Sequence, residues 1–287
     1  MTVTSKATEA TEEEAGARTE KDSGATALQP EEQLDVINAG LRLIRRKNGL
    51  TLGTDALLLA AFVRGTPRSV CVDLGSGTGV LPLLLSAAGK VRRIVALEVQ
   101  PVFADLVTRN AAVNGMSDRI ISLCADVRVL DQKRLGQVLG AKEGSCADLV
   151  VSNPPYMRTD SGQRNLHDEK YIARHEVCGG IEDFCQAAGR VLRCGGSFFV
   201  VFRPDRLSEL MQGLHGAGLE PKRMVFVHGD VRTPPSSVLV EARAGGAPSL
   251  QVLPPLILHD ESTRSQRHRP LLPEAEQICD TLCWPDA

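Results

Sequence analysis

The sequence predicts an α/β protein built on a doubly wound, largely parallel sheet of about seven strands that ends in an antiparallel hairpin. Three observations carry this expectation. Short runs rich in β-branched or aromatic residues recur at 70–74, 94–99, 120–124, 149–152 and 198–202, each short enough to be a buried strand. Amphipathic stretches lie between them, as at 102–114, where Val102, Leu106, Val107, Ala111 and Ala112 mark one helical face. Strands alternating with helices of this length form βαβ units, whose right-handed crossovers place helices on both faces of a sheet. Finally, only residues 229–237 separate the strand-like runs 223–228 and 238–242, too few for a helical crossover, so that pair is antiparallel.

Before the first predicted strand, residues 36–63 read as helical or mixed. They hold the phrase Gly53-Thr54-Asp55-Ala56-Leu57-Leu58-Leu59, in which Thr54 or Asp55 can cap a helix that Ala and Leu propagate. Residues 1–32 have eight acids against three bases, a net of −5, and no aromatic residue or Ile, which predicts a disordered acidic tail. Neither a secretory signal nor a transit peptide fits that composition. The expected organisation is thus a tail over 1–32, a catalytic domain over 33–246, and an extended segment with a short last helix over 247–287, where Pro254, Pro255, Pro270 and Pro273 interrupt the chain.

The 287 residues are 43% apolar, enough for a sizeable core, and contain no run approaching the ~18 apolar residues of a membrane helix. With 33 bases and 35 acids the chain has a formal charge of −2, which excludes a wholly basic nucleic-acid binder. None of the eight cysteines forms a CxxC pair, and Cys71, Cys124 and Cys194 sit in or beside apolar runs. Cys279 and Cys283, spaced four apart, can share a helix face. The expectation is a reduced, cytoplasmic protein without a metal.

The segment Asp73-Leu74-Gly75-Ser76-Gly77-Thr78-Gly79 follows the first core strand and opens a helix. Glycines there let the chain turn sharply and let a ligand approach the backbone, and a helix N-terminus offers N–H groups. Position 80 is Val80, so the nicotinamide pattern GxGxxG is not met, and no GK[ST] follows to make a phosphate loop. GxGxG after an acidic strand end resembles the S-adenosylmethionine (SAM) loop of class I methyltransferases. Within that resemblance Glu98, at the end of the second core strand, accepts from the ribose hydroxyls, and Asp126, after the third, accepts from the adenine amino group. Acids at strand ends are also common as solvated turns.

The fourth core strand runs into Asn153-Pro154-Pro155-Tyr156, whose place in the sheet faces the same crevice as the Gly loop. The lone pair of an adenine N6 amine is delocalised into the ring. The Asn153 amide oxygen and the Pro154 carbonyl can each accept one N6 hydrogen, drawing density onto nitrogen, while the prolines hold the carbonyls rigidly. Tyr156 offers a face on which a base can stack. No general base is needed, so catalysis rests on positioning and electrostatics.

Loop and tetrapeptide together resemble the amino-methyltransferases of adenine N6, guanine N2 and release-factor glutamine. Further phrases, Gly53-Thr54-Asp55-Ala56, Ala173-Arg174-His175-Glu176, Phe202-Arg203-Pro204-Asp205-Arg206-Leu207 and Leu253-Pro254-Pro255-Leu256, are similar to those of the bacterial tRNA1(Val) (adenine-N6)-methyltransferases. That resemblance spans residues 35–282 and implies a class I methyltransferase fold, SAM as cofactor and tRNA as partner, with no metal and no membrane. It implies SAM contacts at Gly75, Gly77, Glu98 and Asp126, with Thr54, Asp55, Asp73, Gly79 and Asn153 in the same candidate set. Catalysis then centres on Asn153, Pro154 and Tyr156.

Tyr156, Arg174, His175, Arg203 and Arg206 are the candidate RNA contacts. The bases of segment 157–180 are matched by acids, so it either folds over RNA or is an ordinary solvated loop. Arg203 and Arg206 either meet phosphate or pair with Asp205 and Glu209, and His175 either belongs to the site or makes a structural hydrogen bond. Two departures concern substrate more than cofactor: Leu50 and Leu52 stand where the family has an aromatic residue, and no Tyr-Thr phrase occurs near Thr263. A short, tail-like N-terminus argues against the release-factor enzymes, which carry a helical domain there, and Tyr156 against the guanine-N2 enzymes, which carry Phe. An intact Gly loop with Glu98, Asp126 and Asn153 argues against a binding-only protein of this fold.

Overall fold

A computed structural model of the chain describes residues 27–48, 53–139, 146–154 and 179–285. Among these residues the chain forms a nine-stranded mixed sheet and a separate two-stranded hairpin. The central strands are β3 (Val70–Leu74), β4 (Arg93–Glu98), β5 (Ile120–Cys124), β6 (Ala147–Ser152) and β7 (Leu192–Phe202), all parallel to their neighbours in this group. Next to β7 lies β9 (Pro235–Ala244), antiparallel both to β7 and to β8 (Leu219–His228). Two-residue strands β10 (Gln251–Val252) and β11 (Leu256–Ile257) add to the outer edge of β8. From β3 the chain moves outward to β4 and β5, then returns to β6 on the other side. The order therefore reverses between β3 and β6, the place where open α/β sheets bind ligands.

Alternation along the strands divides the core in two. Cys71, Leu149, Val151, Phe199 and Val201 face one layer, in which they pack with helices α1 (Thr54–Phe62), α2 (Val80–Ala87) and α7 (Pro273–Thr281). Val72, Leu74, Val150, Phe198 and Val200 face the other, packed with α5 (Ile181–Val191) and α6 (Leu207–Gly216). The period of two is that of a strand covered on both faces, which is why these runs read as continuously apolar. Helix α3 (Pro101–Val113) follows β4, and α4 (Gln132–Leu139) precedes β6.

The region expected to be helical or mixed begins otherwise. Residues Glu32–Val36 (β1) and Arg42–Arg46 (β2) form an antiparallel hairpin, and only from Thr54 is the chain helical. Glu32, the last residue assigned to the acidic tail, is instead buried at the start of β1, with Arg109 of α3 bonded to both of its oxygens at 2.7 Å. Residues 1–26 lie outside the described residues. Gly53 occupies the N-cap of α1 and no side chain caps it, so Thr54 and Asp55 are first-turn residues rather than caps.

The far end of α1 is held by two cations, one half-buried and one buried. Lys90 Nζ donates to the carbonyls of Ala60, Ala61 and Val63 at 2.8 Å each. Arg223, 5% exposed, donates to the Phe62 carbonyl at 3.0 Å, stacks over the Phe62 ring and pairs with Glu241 at 2.6 Å. Both satisfy the carbonyls that a helix C-terminus leaves unpaired, where its dipole favours positive charge. Burial pulls the Lys90 pKa down to about 8, nearby Cys283 opposing this and Arg223 adding to it.

The C-terminal segment closes over the same helix. Its extended part supplies β10 and β11, and Trp284 meets the Phe62 ring edge-on at 5.3 Å. The side chain of Asn38, in the turn of the hairpin, donates to the Cys279 carbonyl at 2.6 Å. Cys283 lies past the end of α7, where Leu282 turns left-handed, so Cys279 and Cys283 do not share a helix face. Among the described residues no group of His, Cys, Asp and Glu is placed to hold a metal ion, and no helix is long and apolar enough to cross a membrane. Replacing Lys90 with Met leaves three helix-end carbonyls without their donor. We expect urea denaturation to show a loss of about 2–4 kcal/mol.

Candidate functional site

Register across the central strands brings the candidate residues to one edge. Ser152 of β6 is paired with Leu74 of β3, Leu74 with Leu97 of β4, and Leu97 with Leu123 of β5. Asn153, Gly75 and Glu98 therefore leave three adjacent strands at the same level, about 4.8 Å apart strand to strand, and Asp126 follows two residues after β5. Ser152 Oγ donates to the Leu74 carbonyl at 2.8 Å and ties the last pair of this ladder together.

The Gly loop is held from below by β4. The Leu97 carbonyl accepts from both Gly75 and Ser76 N–H at 2.9 Å, and Glu98 Oε2 accepts from Gly77 N–H at 2.9 Å. Gly79 N–H donates to the Ser76 carbonyl. Much of the N–H capacity expected to face a ligand is thus directed into the loop itself. Thr78, Val80 and Leu81 are left without a backbone acceptor among the described residues, and Pro82 has no N–H to offer.

The three glycines serve different ends. A Cβ at Gly75 would stand 3.1 Å from the Phe184 ring, and one at Gly79 would press on Val107 at 3.3 Å. At Gly77 a Cβ would meet nothing within 4 Å, yet φ is +56°. Its open side is the one a ligand can approach, and its backbone conformation favours glycine.

Asp73 is completely buried at the end of β3, and neither carboxylate oxygen has a hydrogen-bond partner among the described residues. Burial pushes its pKa up to about 7, the nearby Ser76 hydroxyl lowering it and Glu98 raising it further. That hydroxyl is itself buried and completes no hydrogen bond, so it eases the Asp73 charge without satisfying it. A buried carboxylate left in this state suits a cationic group brought by a ligand.

Glu98 is 6% exposed, and burial raises its pKa against the hydrogen bonds from Gln100 and Gly77 N–H, both 2.9 Å. Each of its oxygens accepts one N–H and retains a lone pair for a further donor. Asp126 is engaged differently. It accepts from the backbone N–H of Arg128 at 2.8 Å and from its guanidinium at 2.5–3.0 Å, which holds the carboxyl below its usual range. The Arg128 side chain is 54% exposed, so a ligand amine can displace it at little cost. The turn itself is stapled by Arg190 of α5, which donates to the carbonyls of Leu130 and Val127 at 3.0 Å. Sequence reasoning missed Arg190, since nothing local marks a helix arginine that reaches across to another loop.

Other candidates fall around this edge. Asn153 is half-buried and Pro154 buried just past β6. Asp55 accepts from Ser237 Oγ at 3.0 Å, tying the first turn of α1 to the start of β9, and burial raises its pKa. Thr54 is half-buried in the same turn. Arg203 pairs with Asp205 at 2.9 Å. Arg206 is buried, pairs with Glu209 at 2.6 Å and stacks over the Phe202 ring, an arrangement that favours the structural alternative for this residue. Tyr156, Arg174 and His175 lie outside the described residues.

The Asp73 shift makes apoprotein stability depend on pH. Its pKa is near 3.8 unfolded and about 7 folded, so between these values the folded state binds the more protons and stability falls as pH rises. Asp73→Asn removes that slope. We expect the variant to match the parent in thermal unfolding near pH 4 and to exceed it increasingly up to pH 8; equal midpoints at pH 8 would show that the carboxyl is not held as described.

The methyltransferase small domain family matches residues 47–216. A tRNA1(Val) (adenine(37)-N6)-methyltransferase of Porphyromonas gingivalis is 31% identical over 168 residues, 56% of this chain and 62% of that protein. The chain thus spans somewhat under two thirds of that relative's length. A protein of the same name from Bacteroides fragilis is 28% identical over 194 residues, 68% of this chain and 77% of its own. Among solved structures, a predicted O-methyltransferase, protein Atu636 from Agrobacterium tumefaciens, superposes with a TM-score of 0.60 at 22% identity, over 80% of this chain and 97% of that one. P. horikoshii TYW2 in complex with MeSAdo superposes with a TM-score of 0.52 at 13% identity, over 76% and 73%. At these identities the two structures speak for the fold alone.

Proposed function

The chain belongs to the methyltransferase small domain family, and we propose that it transfers a methyl group from SAM to N6 of an adenine in tRNA, the anticodon-loop adenine of a valine tRNA. The observation that carries this reading is the convergence, at one strand edge, of the Gly loop, Glu98, Asn153 and the Asp73 carboxylate, which has no hydrogen-bond partner among the described residues. The relatives' names supply the acceptor.

The residues present fit SAM. Asp73, buried and without a partner among the described residues, suits the positively charged end of the cofactor, Glu98 has acceptor capacity left for ribose hydroxyls, and Asp126 can exchange Arg128 for an adenine amine. The open side of Gly77 admits the ligand's approach to the backbone. When bound, SAM supplies an electrophilic methyl group on a sulfonium centre.

The rest of the chemistry falls to the chain's own groups. The Asn153 amide oxygen and the Pro154 carbonyl accept the two N6 hydrogens and fix the direction of the amine lone pair. The rigid Pro154 peptide keeps that carbonyl from swinging away, and Tyr156 supplies the stacking face for the base. The proton is lost after transfer, so the rate enhancement comes from alignment and from dipoles set in advance. The setting in which this reaction runs is the cytoplasm, where tRNA is found.

Incubation with isotopically labelled SAM and, in parallel, unmodified total tRNA, ribosomal RNA and release factor should place label in N6-methyladenosine from tRNA. Label in methylglutamine or N2-methylguanosine, read by mass spectrometry after digestion, would overturn the acceptor while keeping the reaction class. Asn153→Ala is expected to lower kcat by about a hundredfold or more with SAM affinity retained, as for loss of an oriented hydrogen-bond partner in a transition state. Weakened SAM binding with normal turnover would contradict its role.

A further inference from the structure

Two asparagines one turn apart, Asn110 in α3 and Asn114 at its C-cap, both face the open edge of hairpin strand β2. Asn110 Oδ1 accepts from Ile44 N–H at 2.6 Å and its Nδ2 donates to the Ile44 carbonyl at 2.9 Å. Asn114 does the same to Arg42, accepting at 2.9 Å and donating at 2.7 Å. Two strand residues advance about 6.8 Å and four helical residues about 6 Å, so the paired amides stand in for a neighbouring strand. Ile44 and its contacts Phe103, Leu106 and Val113 form a small apolar core of their own beneath the hairpin.

The two asparagines differ in one respect. The second Nδ2 proton of Asn114 goes to the Asn110 carbonyl within α3, at 2.8 Å, whereas that of Asn110 goes to the Thr78 carbonyl in the Gly loop, at 2.9 Å. Asn110 is fully buried, so its amide depends on protein partners for its hydrogen bonds. The Thr78–Gly79 peptide is thereby held at both ends, its carbonyl by Asn110 and its N–H by the Ser76 carbonyl. Glycines stand on both sides of Thr78, at Gly77 with φ +56° and Gly79 with φ +84°, where peptide planes rotate easily.

We propose that Asn110 is a positioning residue for the cofactor loop, its amide held by Ile44 of β2 and itself holding the Thr78 carbonyl, and that this bond raises the loop's affinity for SAM. The inference rests on the SAM reading given above. Ile44 engages both ends of the Asn110 amide and fixes its plane, and the fixed amide then fixes Thr78.

The test compares Asn110→Ala with Asn114→Ala in the full chain. Each removes one pair of hydrogen bonds to β2, and only the first removes the bond to Thr78. Amide hydrogen exchange in the apoprotein should show residues 74–79 losing protection in Asn110→Ala and not in Asn114→Ala. Calorimetry should show SAM affinity lower by about tenfold in Asn110→Ala, as expected for the loss of one hydrogen bond that fixes the loop. In Asn114→Ala it should stay within about twofold. In turnover, Asn110→Ala should raise KM for SAM while kcat at saturating SAM holds. If both variants shift loop exchange and SAM affinity alike, or neither does, the proposal is overturned. Should Asn110→Ala fail to fold, Asn110→Ser enters the same comparison. If the parent chain binds no SAM, the cofactor reading fails by itself, and the exchange arm still decides whether Asn110 holds the loop.

Discussion

Parallel pairing of β6, β3, β4 and β5 without a shift between their C-terminal ends is the constraint from which the site follows. Ser152, Leu74, Leu97 and Leu123 form one row across four strands, so the residues that leave the sheet beyond them have little freedom in where they start. A one-residue slip in any of these pairs would turn an inward carboxylate to the opposite face. The row is reinforced at the residues that matter: Ser152 to the Leu74 carbonyl, the Leu97 carbonyl to two loop amides, and Glu98 to Gly77. Strand pairing and loop conformation are in this sense one network.

Carboxylates around this edge are held in contrasting states, and the contrast follows from burial and partners. Asp73 is completely buried with no donor bonded to it among the described residues, so its charged form is disfavoured. Asp126 has a guanidinium across it and stays ionised. Glu98 lies between, buried but supplied with two backbone N–H groups. Under the proposed SAM reading such a division is useful, because each acid is suited to a different kind of partner, a cationic group or one of two kinds of hydrogen-bond donor.

Away from the sheet, side chains of unlike type take over the work of backbone pairing. Lys90 and Arg223 complete the C-terminus of α1, Asn38 that of α7, and Asn110 with Asn114 the edge of β2. Each of these contacts joins segments far apart in sequence, 241 residues in the case of Asn38 and Cys279. They fasten both ends of the described chain to the layer containing α1, whose first turn reaches the ligand edge through Asp55 and Ser237.

The amino-acid sequence alone determined the alternation of strands and helices, the antiparallel finish, the Gly loop and the placing of Asp73, Glu98, Asp126 and Asn153 at strand ends. These depend on local periodicity and on residue types that restrict the backbone, such as glycine at positive φ and proline after a strand. It did not foresee the hairpin of residues 32–46, because β1 and β2 are short and half-exposed, and their stability comes from Arg109, Asn110 and Asn114 far along the chain. The pairing of Arg203 and Arg206 with neighbouring acids was open in the sequence, since rotamers and burial choose between phosphate and carboxylate. Only the tertiary structure decided that Asp73 has no partner among the described residues, that Arg190 staples the Asp126 turn, and that one buried asparagine ties the hairpin to the loop. The reason is the same in each case: a polar group's partner is selected by the packing of distant segments, and no local pattern encodes it.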